Sequence, residues 1–269
     1  MDRIKVKIVT LGLLHLPSGL RKIKETPSKV FEIVGEIESY PLSANADLTS
    51  WGHSDKSINS LVPVFDNVDF TVIVTFTPLQ DSYYTRHLGA SRTVFSLWEI
   101  SEILSSKNIP LENAVLRSLY QYSLIYKKLA QEKNPDQIPD TSYLHDETRG
   151  CLFDMNGLKI NISASCATPR ICSHCKTKLL TDRISEQFLE SVTSELVKIK
   201  KPLYFRITEL VKIHPILALF ISSFFAIFLG ILGSILASII YDRFISPDFI
   251  CHQVSISSTL IGKIYYILS

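Results

Sequence analysis

From Pro215 to Tyr241 the chain carries no charged side chain, and these roughly 27 residues exceed the about 20 that an α-helix needs to cross a bilayer core. A soluble helix of that length shows a polar face, and none is present, so the pattern predicts a membrane span. Upstream the pattern changes. Ile4-Lys-Val-Lys-Ile-Val-Thr-Leu-Gly12 alternates and is rich in branched residues, as an opening strand should be. Val30 to Ile37, apolar at 30, 33, 34 and 37, suits either a second strand or a helix. Residues 42–61 are polar and turn-rich, a loop with room for one short helix. Phe70-Thr-Val-Ile-Val-Thr-Phe-Thr77 is apolar or β-branched at both parities, which predicts a central strand buried on both faces and stopped by Pro78.

Leu79 to Arg92 is polar and contains Gly89, after which Thr93-Val-Phe95 resumes as a short strand. Ser96-Leu-Trp-Glu99 has the spacing of a capping box, predicting a helix that runs to about Ser105. Pro110 stands where first helical turns accept proline, and Leu111, Val115, Leu119, Tyr122, Tyr126 and Leu129 share one face of a helix reaching about Gln131. Asn134 to Ser142, with Pro135 and Pro139, is an irregular connection. Ile184, Phe188, Leu189, Val192, Leu196 and Ile199 mark a further amphipathic helix, leading toward the span through Pro202. Strands alternating with helices predict an α/β (α+β) fold, a mixed sheet with flanking helices, followed by one C-terminal transmembrane helix.

Charge gives this layout a direction. Lys198, Lys200, Lys201, Arg206 and Lys212 precede the span while only Arg243 closely follows it, and basic residues stay on the cytoplasmic side, so the N-terminal part is expected in the cytosol. Met1-Asp-Arg-Ile-Lys-Val-Lys opens on charged alternation rather than on the apolar core of a signal peptide. The tail beyond the span ends in Leu260-Ile-Gly-Lys-Ile-Tyr-Tyr-Ile-Leu268, too short and too interrupted by Lys263 for a second span; it suits a strand or an interfacial segment. A net charge of +2 over 269 residues gives no reason to expect nucleic acid. The expected partners are the lipid bilayer, an unknown cytosolic protein or ligand, and further copies of the chain. The last follows from small residues at every fourth position, Ser222, Ala226, Gly230, Ser234 and Ser238, which lie on one helix face and permit close backbone approach in lipid.

Five cysteines, an odd number, in a cytosolic domain point to free thiols or a metal site rather than a disulfide framework. Cys172-Ser-His-Cys175 can clamp one side of a tetrahedral zinc ion, with Cys151 as third ligand and a fourth drawn from His145, Asp146 and His174. Two other readings stay open: small hydrophobic packing at a helix start, and a redox pair. Cys166 and Cys251 lack a partner at metal spacing and read as structural. His145 with Asp146 and Glu147 has acid–base chemistry but also suits a surface turn or a pair with Arg149. His87 beside Arg86 and Tyr84 offers an anion contact or a solvated surface. Asp154-Met-Asn-Gly157 reads as a tight turn.

With those residues in place, the part before the span resembles the archaemetzincin-like branch of the zinc metallopeptidases. The similarity lies in order: a strand with Thr75-Phe-Thr-Pro-Leu, a loop with aromatic residues and Gly89, Val94-Phe-Ser-Leu, then a histidine segment with downstream cysteines. The resemblance implies a metzincin-like fold over about residues 1–180 and a structural zinc. It would set His145 on the last catalytic histidine, Cys151, Cys172 and Cys175 on three of four structural cysteines, and Asp146 on the remaining one. The family's His-Glu-x-x-His is missing; the corresponding positions hold Pro135, Asp136 and Pro139.

The expected organisation is therefore a metallopeptidase-like domain over 1–180, an amphipathic helix and juxtamembrane connector over 181–213, a transmembrane helix over 214–241 and an extracytoplasmic tail over 242–269. The leading functional expectation is a non-catalytic, membrane-anchored recognition domain with a structural zinc. The alternatives are an oligomerising, membrane-perturbing effector of a stress or anti-phage system, and an active membrane-bound metal-dependent peptidase acting through His145, Asp146 and Glu147.

Overall fold

A computed structural model of the chain describes residues 2–12, 18–43, 45–49, 51–89, 91–131, 143–146, 148–199 and 203–244. The chain forms two compact units, one ending at Phe205 and the other beginning at Arg206. The first is built on a mixed six-stranded sheet of β1 (Ile4–Leu11), β2 (Phe31–Ile33), β3 (Glu38–Tyr40), β4 (Phe70–Thr75), β5 (Thr85–Gly89) and β6 (Arg92–Ser96). The strand order is β2-β1-β4-β6-β5, with β3 also paired to β1. Every pairing is parallel except that of β5 with β6.

The central strands follow from their composition. All six residues of β4 are buried, and its alternate positions serve two cores. Val72 and Val74 join Ile4, Val6, Ile8 and Phe95 in the larger core, while Ile73 joins Val9, Leu11 and Val94 in the smaller one. The larger core is completed by α1 (Ser18–Lys24), α3 (Ile100–Ser106), α4 (Leu111–Gln131), α5 (Ile162–Ala167), α6 (Ser173–Thr181) and α7 (Glu186–Leu196), and the smaller by α2 (Asp55–Leu61). Covering both faces is what parallel strands of this composition require. Because Phe188, Leu189, Val192 and Leu196 pack into the larger core, α7 belongs to the same compact unit as the sheet.

Several expectations are refined. Val30 to Ile37 is extended, since Phe31–Ile33 pairs with Ile4–Val6 and the chain then turns toward β3. Strand β5 went unseen in the sequence because each of its residues is only partly buried, so Thr85, Arg86 and His87 show no apolar alternation. The Ser96–Glu99 capping box does not form. Ser96 is still in β6, paired with Thr75; its hydroxyl donates to the Thr77 carbonyl at 2.6 Å and accepts from the Trp98 N–H at 3.1 Å. Glu99 precedes α3 with φ of 63° and makes no side-chain cap; its carboxylate instead pairs with Lys159 at 2.7 Å.

Two buried charges fasten the helices. Arg117 on α4 is fully buried and donates to Ser165 Oγ at 2.7 Å, Gln121 Oε1 at 3.1 Å and the Leu152 carbonyl at 2.8 Å. Its guanidinium also lies 5.9 Å from the Tyr84 ring centroid. Glu195 on α7 accepts from Ser28 Oγ at 2.6 Å, the Lys29 N–H at 2.7 Å and Tyr120 Oη at 3.1 Å. Glu195 thereby holds the segment before β2 against α4 and α7. Burial, followed by the Glu195 carboxylate, pushes the Tyr120 hydroxyl above its ordinary pKa.

The second unit is dominated by α9 (Pro215–Phe244), whose stretch Pro215–Tyr241 reaches a mean hydropathy of 2.5 over its most apolar window, none of it buried. It is long and apolar enough to cross a bilayer. The tail from residue 245 onward, with Cys251 and Lys263, lies outside the described residues, as do Pro135, Asp136, Pro139 and Glu147.

Replacing Glu195 by alanine should leave the part-buried Lys29 N–H and the buried Tyr120 hydroxyl without their carboxylate acceptor. The expected loss is about 2–3 kcal/mol of stability, since each buried group left unpaired costs about 1–3 kcal/mol, read as a lowered denaturation midpoint of the detergent-solubilised chain.

Candidate metal centre

Two backbone segments converge on the cysteines. The first runs from Tyr143 to Asp154 and the second from Arg170 into α6. They are joined by hydrogen bonds from the Leu152 N–H to the Arg170 carbonyl and from the Arg170 N–H to the Gly150 carbonyl, both 2.9 Å. The first segment folds back on itself through a turn that closes with the Asp154 N–H donating to the Cys151 carbonyl at 3.3 Å. The tight turn is thus Cys151–Asp154, three residues earlier than the Asp154–Gly157 expected from composition. Gly150 has φ of 130°, and a Cβ there would stand 3.0 Å from the Thr168 carbonyl, so the crossing of the two segments demands glycine.

Asp154 organises this loop. Its buried carboxylate accepts from the Thr148 N–H and hydroxyl at 2.9 Å each, from the Gly150 N–H at 2.9 Å and from the Cys151 N–H at 3.0 Å. Sequence reasoning passed over Asp154. The available signal was an aspartate three residues after a candidate ligand, where its carboxylate can reach back to the ligand's own N–H.

The outcome is a four-membered group in which one ligand atom each from His145, Cys151, Cys172 and Cys175 lies within 4.8 Å of every other. Cys151 and Cys175 are buried and free of disulfides, with their sulfurs 3.9 Å apart; Cys172 Sγ is 3.5 Å from His145 Nε2. Zinc bonds of about 2.3 Å to sulfur and about 2.0–2.1 Å to nitrogen, set at tetrahedral angles, imply edges of about 3.8 Å and 3.5 Å. The two measured separations match those edges.

Further contacts prepare the donors. Cys172 caps α6, its sulfur accepting from the Cys175 N–H at 3.4 Å, and Cys151 Sγ accepts from the Cys172 N–H at 3.5 Å. His145 donates from Nδ1 to the Asp146 carbonyl at 2.6 Å, with Asp154 Oδ1 3.5 Å away, which leaves the Nε2 lone pair facing the sulfurs. The hydrogen bond from Cys175 draws the Cys151 thiol down to about 5, while the same bond and then burial push the Cys175 thiol up. Burial opposes charging of His145, but the Asp146 carbonyl and the Cys151 thiolate outweigh it and raise its pKa.

Of the three candidates for a fourth ligand, His145 is the one whose ring lies with the cysteines. Its Nε2 stands 3.5 Å from Cys172 Sγ. Asp146 is exposed and meets the group through its backbone carbonyl, and its side chain is not a member of the cluster. His174 is exposed and only packs its ring edge-on to His145 at 6.3 Å. Cys175 is buried in the core, and its sulfur lies 3.9 Å from that of Cys151 and within 4.8 Å of the ligand atoms of Cys172 and His145. Cys166 lies in the core with its thiol pushed up to about 12 by burial, consistent with a packing role.

His87 does not form an anion site. Arg86 is engaged by Asp55 through a bidentate pair at 2.6 and 2.7 Å, and Tyr84 Oη accepts from Asn156 Nδ2 at 3.1 Å. Both His87 ring nitrogens are buried without partners against Phe70, Tyr122 and Tyr126, and burial lowers the pKa of the imidazole.

No family model and no curated protein matches the chain. Among solved structures it is similar to the crystal structure of archaemetzincin (amzA) from Methanopyrus kandleri, at 13% identity and a TM-score of 0.46, over 67% of this chain and 96% of that one. That protein bears the name of the family whose order of motifs the sequence resembles.

Substituting Asp154 by alanine should lower zinc affinity about 10–100-fold in chelator competition, the usual effect of removing an outer-sphere carboxylate, with all four ligands still in place. Acidification should release metal as well, because three of the donors bind only as thiolates and protons compete for them.

Proposed function

We propose that the protein is a non-catalytic, membrane-anchored recognition domain whose ligand-bearing loops are stapled by one structural zinc. The observation that carries this reading is the donor set: three sulfurs and one imidazole nitrogen, all within 4.8 Å of one another, are enough to fill all four positions of a zinc ion. Such a site leaves no position for the water that a hydrolytic zinc must activate. Soft thiolates with one imidazole in tetrahedral array favour zinc over the harder divalent ions. When bound, zinc would supply a cross-link between the loop after Tyr143 and the start of α6, and binding energy of that kind is folding energy.

The anchor is α9, with the basic residues preceding it holding the first unit in the cytosol. The partner is a protein or small ligand of the cytosol, and occupancy is transmitted through α9. An oligomerising effector is a second reading, favoured by Ser222, Ala226, Gly230, Ser234 and Ser238, which recur along one side of that helix. In that case, assembly of the first unit draws several helices together and disturbs the bilayer.

Full-length protein purified in detergent should carry about one zinc per chain, and Cys172→Ser should lose it together with thermal stability. A Cys172→Ser chain that keeps both its metal and its melting temperature would refute the staple. The membrane-bound form should resist alkaline extraction and expose its N-terminal unit to protease from the cytosolic side alone. Gly230→Leu with Ser234→Leu should reduce cross-linked oligomer in membranes; unchanged cross-linking removes the second reading.

A further inference from the structure

The segment entering the span, α8 (Leu203–Ile213), has a polarity that the anchoring role of α9 does not explain. At 100° per residue, Leu203, Ile207, Leu210 and Val211 fall within an arc of about 100°. All four are exposed, Leu203 at 69% and Ile207 at 51%. Phe205 points to the other side of the helix and packs against the larger core. Lys212 and Arg206 also lie off the apolar arc, one toward either side of the opposite face. An apolar stripe backed by cations is the pattern of a helix lying in a membrane interface.

Two further observations identify the surface that covers the stripe. The last hydrogen bond of α8 runs from the His214 N–H to the Leu210 carbonyl at 2.9 Å and the first of α9 from the Ala218 N–H to the His214 carbonyl at 3.0 Å, and between them Pro215 has no N–H to give, so the ladder breaks where α8 can turn from the axis of the span. The end of α8 is therefore held at the mouth of the span. Between Lys198 and His214 the sequence also places five cations, Lys198, Lys200, Lys201, Arg206 and Lys212, against the single acid Glu209. That excess complements a leaflet of anionic phospholipid and no neutral one.

We propose that α8 is an interfacial helix that binds anionic phospholipid headgroups through Arg206 and Lys212, with Leu203, Ile207, Leu210 and Val211 seated among the upper acyl carbons. The proposal rests on the reading of α9 as a span. It adds a lipid-dependent contact, by which the charge of the leaflet governs how α8 is held at the bilayer surface.

The test uses the full-length chain carrying Ile207→Trp, with the parent chain supplying the background of Trp51 and Trp98. Both are reconstituted into vesicles of phosphatidylcholine alone or mixed with phosphatidylglycerol, each doped with lipid brominated near the headgroup or near the chain end. In the anionic vesicles the added indole should be quenched by the shallow bromines. That quenching should be roughly halved in pure phosphatidylcholine, at high salt, and in the chain also bearing Arg206→Gln and Lys212→Gln. An indole left unquenched, because α8 docks on protein, overturns the proposal. So does shallow quenching that is indifferent to lipid charge, or quenching mainly by the deep bromines. Alkaline extraction of the same vesicles separates the two claims. A chain that stays in the membrane with an unquenched indole keeps α9 as the span and loses α8 as the lipid reader, whereas an extracted chain removes the span itself.

Discussion

Three thiols and an imidazole, with ligand atoms within 4.8 Å of one another and two of the sulfurs buried, concentrate electron pairs that stay together only while protons or a cation neutralise them. That constraint organises the polar part of the first unit. Four of the donors that hold this corner in place converge on the single carboxylate of Asp154, and that carboxylate in turn lies beside the imidazole. A metal charge at the centre would offset the cost of burying thiolates, which a hydrocarbon core of this kind otherwise refuses.

The cluster is tied to the sheet through one arginine. Arg117 reaches the Leu152 carbonyl next to Cys151 and Ser165 on α5, so the position of α4 over the sheet fixes where the ligand loop starts. A buried guanidinium satisfied by neutral acceptors holds its neighbours at defined distances, because any departure leaves an N–H unpaired in the interior. Tyr143 completes the frame on the other side, its ring stacked at 5.2 Å on Phe153 and its hydroxyl bonded to Asp182 just past α6. Loop, core helix and α6 are thereby tied to one another.

The fold and the site were legible to different depths. The strands β1 and β4 and the helices α4 and α7 were readable because burial there repeats with the period of the backbone, as in Phe188, Leu189, Val192 and Leu196. The edge strand β5 was not, since half-buried Thr85, Arg86 and His87 carry no such period. Ser96 misled for a related reason. The side-chain pattern of a capping box is local, but pairing of Ser96 with Thr75 is not, and the sheet's claim on the backbone came first. At the metal centre, spacing alone singled out Cys151, Cys172 and Cys175 but could not choose among His145, Asp146 and His174.

What the amino-acid sequence determined by itself is whatever depends on neighbours along the chain: the uncharged length of α9, the amphipathic faces of the helices, and the pair of thiols two residues apart. What only the tertiary structure decided is the identity of the fourth ligand and of the carboxylate that shapes the loop. His145 qualifies because the crossing at Gly150 brings residues 143–154 against 170–175, and because the Asp146 carbonyl holds its Nδ1 so that Nε2 faces the sulfurs. Those are distances between segments some 20 to 30 residues apart, set by packing, and no local pattern of side chains encodes them.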